Sequence, residues 1–123
     1  MPSITPFLTV KDGRKAIEFY TKGFGATLVA QHDNKGKINA ELSIGNALFY
    51  IGDEELEFGN SSPETFGGSP VRIILTVEDP DAYYDRAIAA GATMICPVTT
   101  EEDWRIGKLK DPFGHVWEIG RPL

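Results

Sequence analysis

The chain repeats itself. Leu8-Thr9-Val10-Lys11-Asp12 recurs as Leu75-Thr76-Val77-Glu78-Asp79 after 67 residues, and Phe24-Gly25-Ala26-Thr27 recurs as Ala90-Gly91-Ala92-Thr93 after 66. Phe49-Tyr50-Ile51-Gly52 matches Trp117-Glu118-Ile119-Gly120 in shape after 68. Three matches in order, at nearly constant spacing, indicate a duplicated structural unit. A duplication constrains architecture more than local propensity does, because both copies must build the same unit.

Each copy reads as a strand, a helix and three further strands. Ile4 to Val10 and Val71 to Val77 are β-rich first strands. Asp12 and Asp79 follow as N-caps, with Pro80 at the favoured first helical position. Apolar residues then recur at helical spacing: Ala16, Ile17, Phe19 and Tyr20 in one copy, Tyr83, Tyr84, Ala87 and Ile88 in the other. Gly25 and Gly91 stop these helices in the manner of left-handed caps. Second strands are expected at Thr27 to Gln31 and Thr93 to Val98. Two hairpins follow, one turning at Gly45-Asn46 and one at Asp111-Pro112-Phe113-Gly114. The reading is therefore one α+β domain of tandem βαβββ modules, module 1 over 4–53 and module 2 over 70–121. The Gly-, Ser- and Pro-containing stretch 54–69 reads as a plain surface linker; the alternative is a lid that folds back on Gly67-Gly68.

At 123 residues the chain holds one core. No apolar run nears the roughly 18 residues that cross a bilayer, and Met1 to Pro6 shows no secretory signal pattern. A net charge of −6, with Lys and Arg interleaved among acids, argues against nucleic acid or an anionic membrane as partner. The single cysteine, Cys96, forms no intrachain disulfide and fits a reducing cytoplasm. Its apolar neighbours suggest a buried structural thiol.

Strand alternation assigns faces. Val71, Ile73, Leu75 and Val77 belong under the helices, as do Ala40, Leu42, Ile44, Phe49, Ile51, Trp117 and Ile119. The opposite, concave side receives Thr5, Phe7 and Thr9; Arg72, Ile74 and Thr76; Leu48 and Tyr50; and Val116 and Glu118. Asn39, Glu41 and Ser43 join them, with Arg105, Gly107 and Leu109 expected as their counterparts. A face that mixes charge, hydroxyl and aromatic groups is how small-molecule sites are lined.

The duplicated pattern, with AIEFYTKGFGA (Ala16 to Ala26) and DPFGHVWEI (Asp111 to Ile119), resembles the vicinal-oxygen-chelate (glyoxalase/bleomycin-resistance/dioxygenase) superfamily along essentially the whole chain. NAELSIGNALFYIGDE (Asn39 to Glu54) and WRIGKLKDPFGHVWEIG (Trp104 to Gly120) look closest to its bacterial PhnB-like members. The resemblance implies a half-open mixed β-sheet cleft with helices on its outer face, completed in a homodimer by strands of two chains. It also implies metal-ligand positions on the first and last strands of each module, which map here to Thr5, Tyr50, Arg72 and Glu118. Only Glu118 has ligand chemistry, and a divalent site needs about three protein ligands. No metal or other cofactor is therefore expected, with Glu41, Asn39 or His115 as alternative donors if a strand is shifted.

Two functions remain open from these residues. One is a metal-independent small-molecule binder of the glyoxalase/bleomycin-resistance type, with antibiotic sequestration as its role. Phe7, Tyr50 and Trp104 would form its walls, and Arg72, Arg105, Glu41 and Glu118 its polar anchors. The other is a glyoxalase- or dioxygenase-like enzyme with Glu118 as metal ligand or general base. Arg72 and Glu118 read either as a structural ion pair or as an anion anchor with its counter-ion. Trp104 either stacks on a planar ligand or sits at an interface. His115 either orients its hairpin or reaches the cleft mouth, and His32 belongs to a solvated turn.

Overall fold

The computed structural model describes residues 2–123. In chain order they form β1 (Phe7–Val10), α1 (Gly13–Gly23), β2 (Thr27–Asn34), β3 (Lys37–Ile44), β4 (Ala47–Asp53), α2 (Pro63–Phe66), β5 (Arg72–Thr76), α3 (Pro80–Ala90), β6 (Thr93–Glu101), β7 (Trp104–Lys110) and β8 (Val116–Pro122). They make two mixed four-stranded sheets of the same design, ordered β1-β4-β3-β2 and β5-β8-β7-β6. In each, the first strand runs parallel to the last and the rest are antiparallel. The tandem βαβββ reading is thus realised as an α+β fold. The first strands are shorter than expected, and Thr5 precedes β1.

The caps explain where the helices start. Asp12 accepts the Lys15 N–H and Asp79 that of Ala82, both over 3.1 Å, with Pro80 in the first turn of α3. Asp53 adds a second restraint, taking the N–H of Gly13 over 2.6 Å and of Ile38 over 2.8 Å. One carboxylate therefore ties the start of α1 to β3 and β4. Past α1, Gly25 stands at φ 66°, and Gly91 closes α3 at φ 124°, a region open to glycine at little steric cost.

Both modules share one core. Leu8, Val10, Phe49 and Ile51 from the first sheet are buried with Leu75, Leu109, Trp117 and Ile119 from the second, around Tyr20, Phe24 and Tyr84 of the helical segments. Phe49 and Trp117 meet edge-on at 5.8 Å between ring centroids. Each helix covers the convex side of its own sheet, and each concave side is open.

Residues 54–69 are not the plain connector that their composition suggests. A short 3-10 turn (Leu56–Phe58) and α2 are built into them. Glu54 accepts the Ser62 N–H over 2.9 Å and the Thr65 hydroxyl over 3.0 Å, and Ser62 is fully buried. These bonds hold the Glu54 carboxyl below the usual carboxylate range, the Ser62 N–H contributing most.

Candidate functional site

Register decides which side chains share each concave face. On the first sheet Phe7 lies opposite Tyr50, and Tyr50 opposite Glu41. The rings of Phe7 and Tyr50 stack at 6.1 Å. Phe7 also leans over Gly52, where an added Cβ would stand 2.8 Å from the ring; glycine is what admits the aromatic at that point. Phe7 is 53% exposed and Tyr50 39%, high values for large aromatics on ordered strands.

On the second sheet Glu118 lies between Ile74 of β5 and Lys108 of β7. Arg72 stands opposite Val116 and reaches diagonally, placing Nη1 3.4 Å from Glu118 Oε2. The Glu118 side chain is 16% exposed and that of Arg72 62%, so the carboxylate is sheltered and the guanidinium is in solvent. Trp104 lies on the same face, half-buried opposite Pro122.

Of the positions named from sequence, the structure therefore brings together Phe7, Glu41 and Tyr50 on one sheet, and Arg72 and Glu118 on the other, with Trp104 four residues along β7 from the place opposite Glu118. It records no contact joining Glu41 to the Arg72–Glu118 pair. Arg105 requires a correction. It projects to the helix side, where Nη2 and Nε meet the Asp81 carboxylate of α3 at 2.7 and 3.1 Å. Its alternation partners confirm the side: Leu109 is fully buried, and a Cβ on Gly107 would strike Tyr84 of α3. The pair also raises the Arg105 pKa and lowers that of Asp81, mainly through their hydrogen bond.

Lys108 is the residue that sequence reasoning missed. It occupies the place Glu41 holds in the first module, opposite the strand position shared by Tyr50 and Glu118. The signal was present, since Glu41 and Lys108 are 67 residues apart like the first strands. Cys96 also departs from expectation. It is exposed, because β6 is an edge strand and Cys96 pairs with Lys108 rather than with a core position.

His115 lies between the modules and donates from Nε2 to the Thr9 carbonyl over 2.8 Å. With Phe7 and Phe66 it lines a cleft between β1 and the 54–69 crossover. A deeper junction centres on Asp111, whose carboxylate accepts the Tyr20 hydroxyl, the Trp117 indole and the N–H groups of Phe113 and His115. Burial, and next the Asp111 charge, push the Tyr20 hydroxyl well above the usual tyrosine range.

Among the described residues no three His, Cys, Asp or Glu side chains gather as ligands of a divalent cation. Glu118, the one carboxylate among the positions that the sequence resemblance maps to metal ligands, already faces a guanidinium at 3.4 Å, whose fixed charge opposes a cation at the same oxygens. The residues of one chain do not fit such a metal. Among the described residues no helix is long and apolar enough to cross a membrane.

Comparison with known proteins agrees with this architecture. The family model described as "Glyoxalase/Bleomycin resistance protein/Dioxygenase superfamily" matches residues 3–119. An uncharacterized protein of Mycobacterium bovis is 41% identical over 131 residues, covering 99% of this chain and 84% of the relative. Among solved structures, TioX from Micromonospora sp. ML1 is 24% identical, with full coverage of both chains and a TM-score of 0.78. The fosfomycin resistance protein FosX of Listeria monocytogenes, solved with Mn(II) and sulfate, is 19% identical over 99% of this chain and 93% of its own, with a TM-score of 0.75. With the family model spanning nearly every residue and both sheets in the same arrangement, the chain belongs to the glyoxalase/bleomycin resistance protein/dioxygenase superfamily.

Proposed function

We propose that this protein is a metal-independent small-molecule binder that works as a homodimer. In this reading the first sheet of one copy and the second sheet of the other enclose the ligand. The observation that carries it is the open concave face of each sheet. Leu48, near Tyr50 on the first sheet, is 47% exposed, and Ile74, opposite Glu118 on the second, is 59% exposed. Bare apolar strands of this kind mark interaction or ligand surfaces. An isologous pairing supplies each open face with a second wall.

Phe7, Tyr50 and Trp104 are the apolar walls, and Glu41, Arg72 and Glu118 the polar anchors. Metal independence is supported by the guanidinium against Glu118. The role that follows is sequestration of a small organic molecule, antibiotics included, which the resistance proteins among its structural neighbours make reasonable. Asn39 to Glu54 and Trp104 to Gly120 support a PhnB-like place within the superfamily, and the lone exposed Cys96 suits a reducing cytoplasm.

Sedimentation of the purified protein, with metal analysis of a preparation never exposed to chelator, tests this. A dimer carrying sub-stoichiometric metal is expected. A monomer overturns the two-copy cleft, and near-stoichiometric nickel, zinc, iron or manganese overturns the metal-free binder.

A further inference from the structure

We propose that the ligand carries an anionic group, held by Arg72 and Lys108 on either side of Glu118, and a planar apolar part that lies against Phe7 and Tyr50. This rests on the reading that the concave faces form the ligand cleft and adds the chemical class of what binds there.

The charges on the second sheet are unbalanced. Lys108 is directly opposite Glu118, Lys110 is opposite Val116, and Arg72 reaches Glu118 from the other flank. Directly opposite neighbours on one face stand about 5 Å apart at Cβ and diagonal ones about 7–8 Å, so Lys108 stands beside Glu118, with Arg72 and Lys110 on diagonals from it. This occurs on a chain whose net charge is −6. Among the described residues Lys108 enters no ion pair, and Arg72 spends a single contact on Glu118 while most of its side chain stays in water. One carboxylate leaves an excess of positive charge on this face, and an arriving carboxylate or phosphate is attracted to it. A guanidinium fork beside a lysine ammonium supplies both directional and point-charge recognition.

The duplication sharpens the argument, because the first module has no such arrangement. At the positions equivalent to Arg72, Lys108 and Lys110 it carries Thr5, Glu41 and Ser43, and where the second has Glu118 it has Tyr50. One module has become a cationic wall and the other an aromatic wall from the same backbone. Walls of such different character specify a ligand with two different ends. Glu118 acts as the built-in counter-ion of Arg72 when the cleft is empty, and it competes with the ligand for that guanidinium.

Calorimetric titration at constant ionic strength tests this with benzoate, phenyl phosphate and the neutral benzyl alcohol. Saturable binding of an anion, at least about tenfold tighter than of the alcohol, is expected from charge-assisted hydrogen bonds. Lys108→Met and Arg72→Met should each weaken it about tenfold or more. Glu118→Gln should strengthen it severalfold, a gain that a purely structural carboxylate would not give. Equal affinity for benzyl alcohol, no saturable response to either anion, an indifferent Lys108→Met or a weakened Glu118→Gln overturns the anionic assignment. Tyr50→Ala separates the two levels: if it leaves phenyl phosphate binding intact while Lys108→Met abolishes it, the cation pair stands and the shared cleft falls.

Discussion

The Tyr20 hydroxyl donates to Oδ2 of Asp111 over 2.5 Å, joining the helix of the first module to the hairpin turn of the second. Trp117 Nε1 shares that oxygen at 2.9 Å, and the other oxygen takes the Phe113 and His115 N–H groups. A buried carboxylate is costly unless its lone pairs are occupied. Here four donors occupy them, so the motif that ends the second module also fixes how the two modules meet.

Removing that link should be measurable. Tyr20→Phe leaves the carboxylate one donor short, and we expect a loss of about 1–3 kcal/mol in chemical denaturation. Because the bond lies on the far side of the sheets from the concave faces, binding by the folded variant should be unchanged.

The same contact predicts an alkaline weakness. Burial and the Asp111 charge raise the folded pKa of Tyr20, whereas an unfolded tyrosine titrates near about 10. The folded state thus retains a proton that the unfolded chain gives up. Stability from this group is fully present below about pH 10 and is lost as pH rises through the folded value. Denaturation midpoints measured across that range should fall more steeply for the native protein than for Tyr20→Phe. Tyr84 is raised too, again chiefly by burial, so the variant should retain part of the decline.

The 54–69 crossover should respond in the opposite direction. Hydrogen bonds from Ser62 and Thr65 lower the folded pKa of Glu54, so its contribution is present above the unfolded value and lost as pH falls through the folded one. Hydrogen exchange at the Ser62 amide, corrected for its intrinsic pH dependence, should therefore lose protection in acid. Glu54→Ala should show the same loss at neutral pH.

The duplicated sequence made the fold readable because caps, helix stops and strand runs appear twice and agree. The site was less legible, and the cause is arithmetic. A strand has period two, so a one-residue slip exchanges its faces. The repeat offset drifts between 66 and 68, and β6 breaks register between Met94 and Cys96 and again before Thr99. Pairing Glu41 with Gly107 instead of Lys108 put Arg105 on the concave face and hid the lysine. The buried Leu109 was the local sign that the other phase was right. Cys96 misled for a related reason: an apolar run on an edge strand need not be covered.

Arg105→Ala checks the corrected phase. Its partner Asp81 lies on α3, across the sheet from the cleft, and exposed pairs contribute little to stability. Ligand affinity should stay at the native level, in contrast to Lys108→Met. Gly107→Ala, whose new Cβ would sit 2.8 Å from Val98 and 2.9 Å from the Tyr84 ring, should instead cost about 1–3 kcal/mol by overpacking.

The most direct measurement is subunit mixing. Tyr50→Ala disables the first sheet and Arg72→Ala the second, so each homodimer should bind phenyl phosphate poorly. Co-refolded at equal ratio, they form mixed dimers in which one cleft joins two intact walls. Calorimetry should then recover about one quarter of the native sites at native affinity, as random pairing in a two-fold dimer requires. No recovery, with mixed dimers shown to be present, would mean that the two walls do not come from different copies.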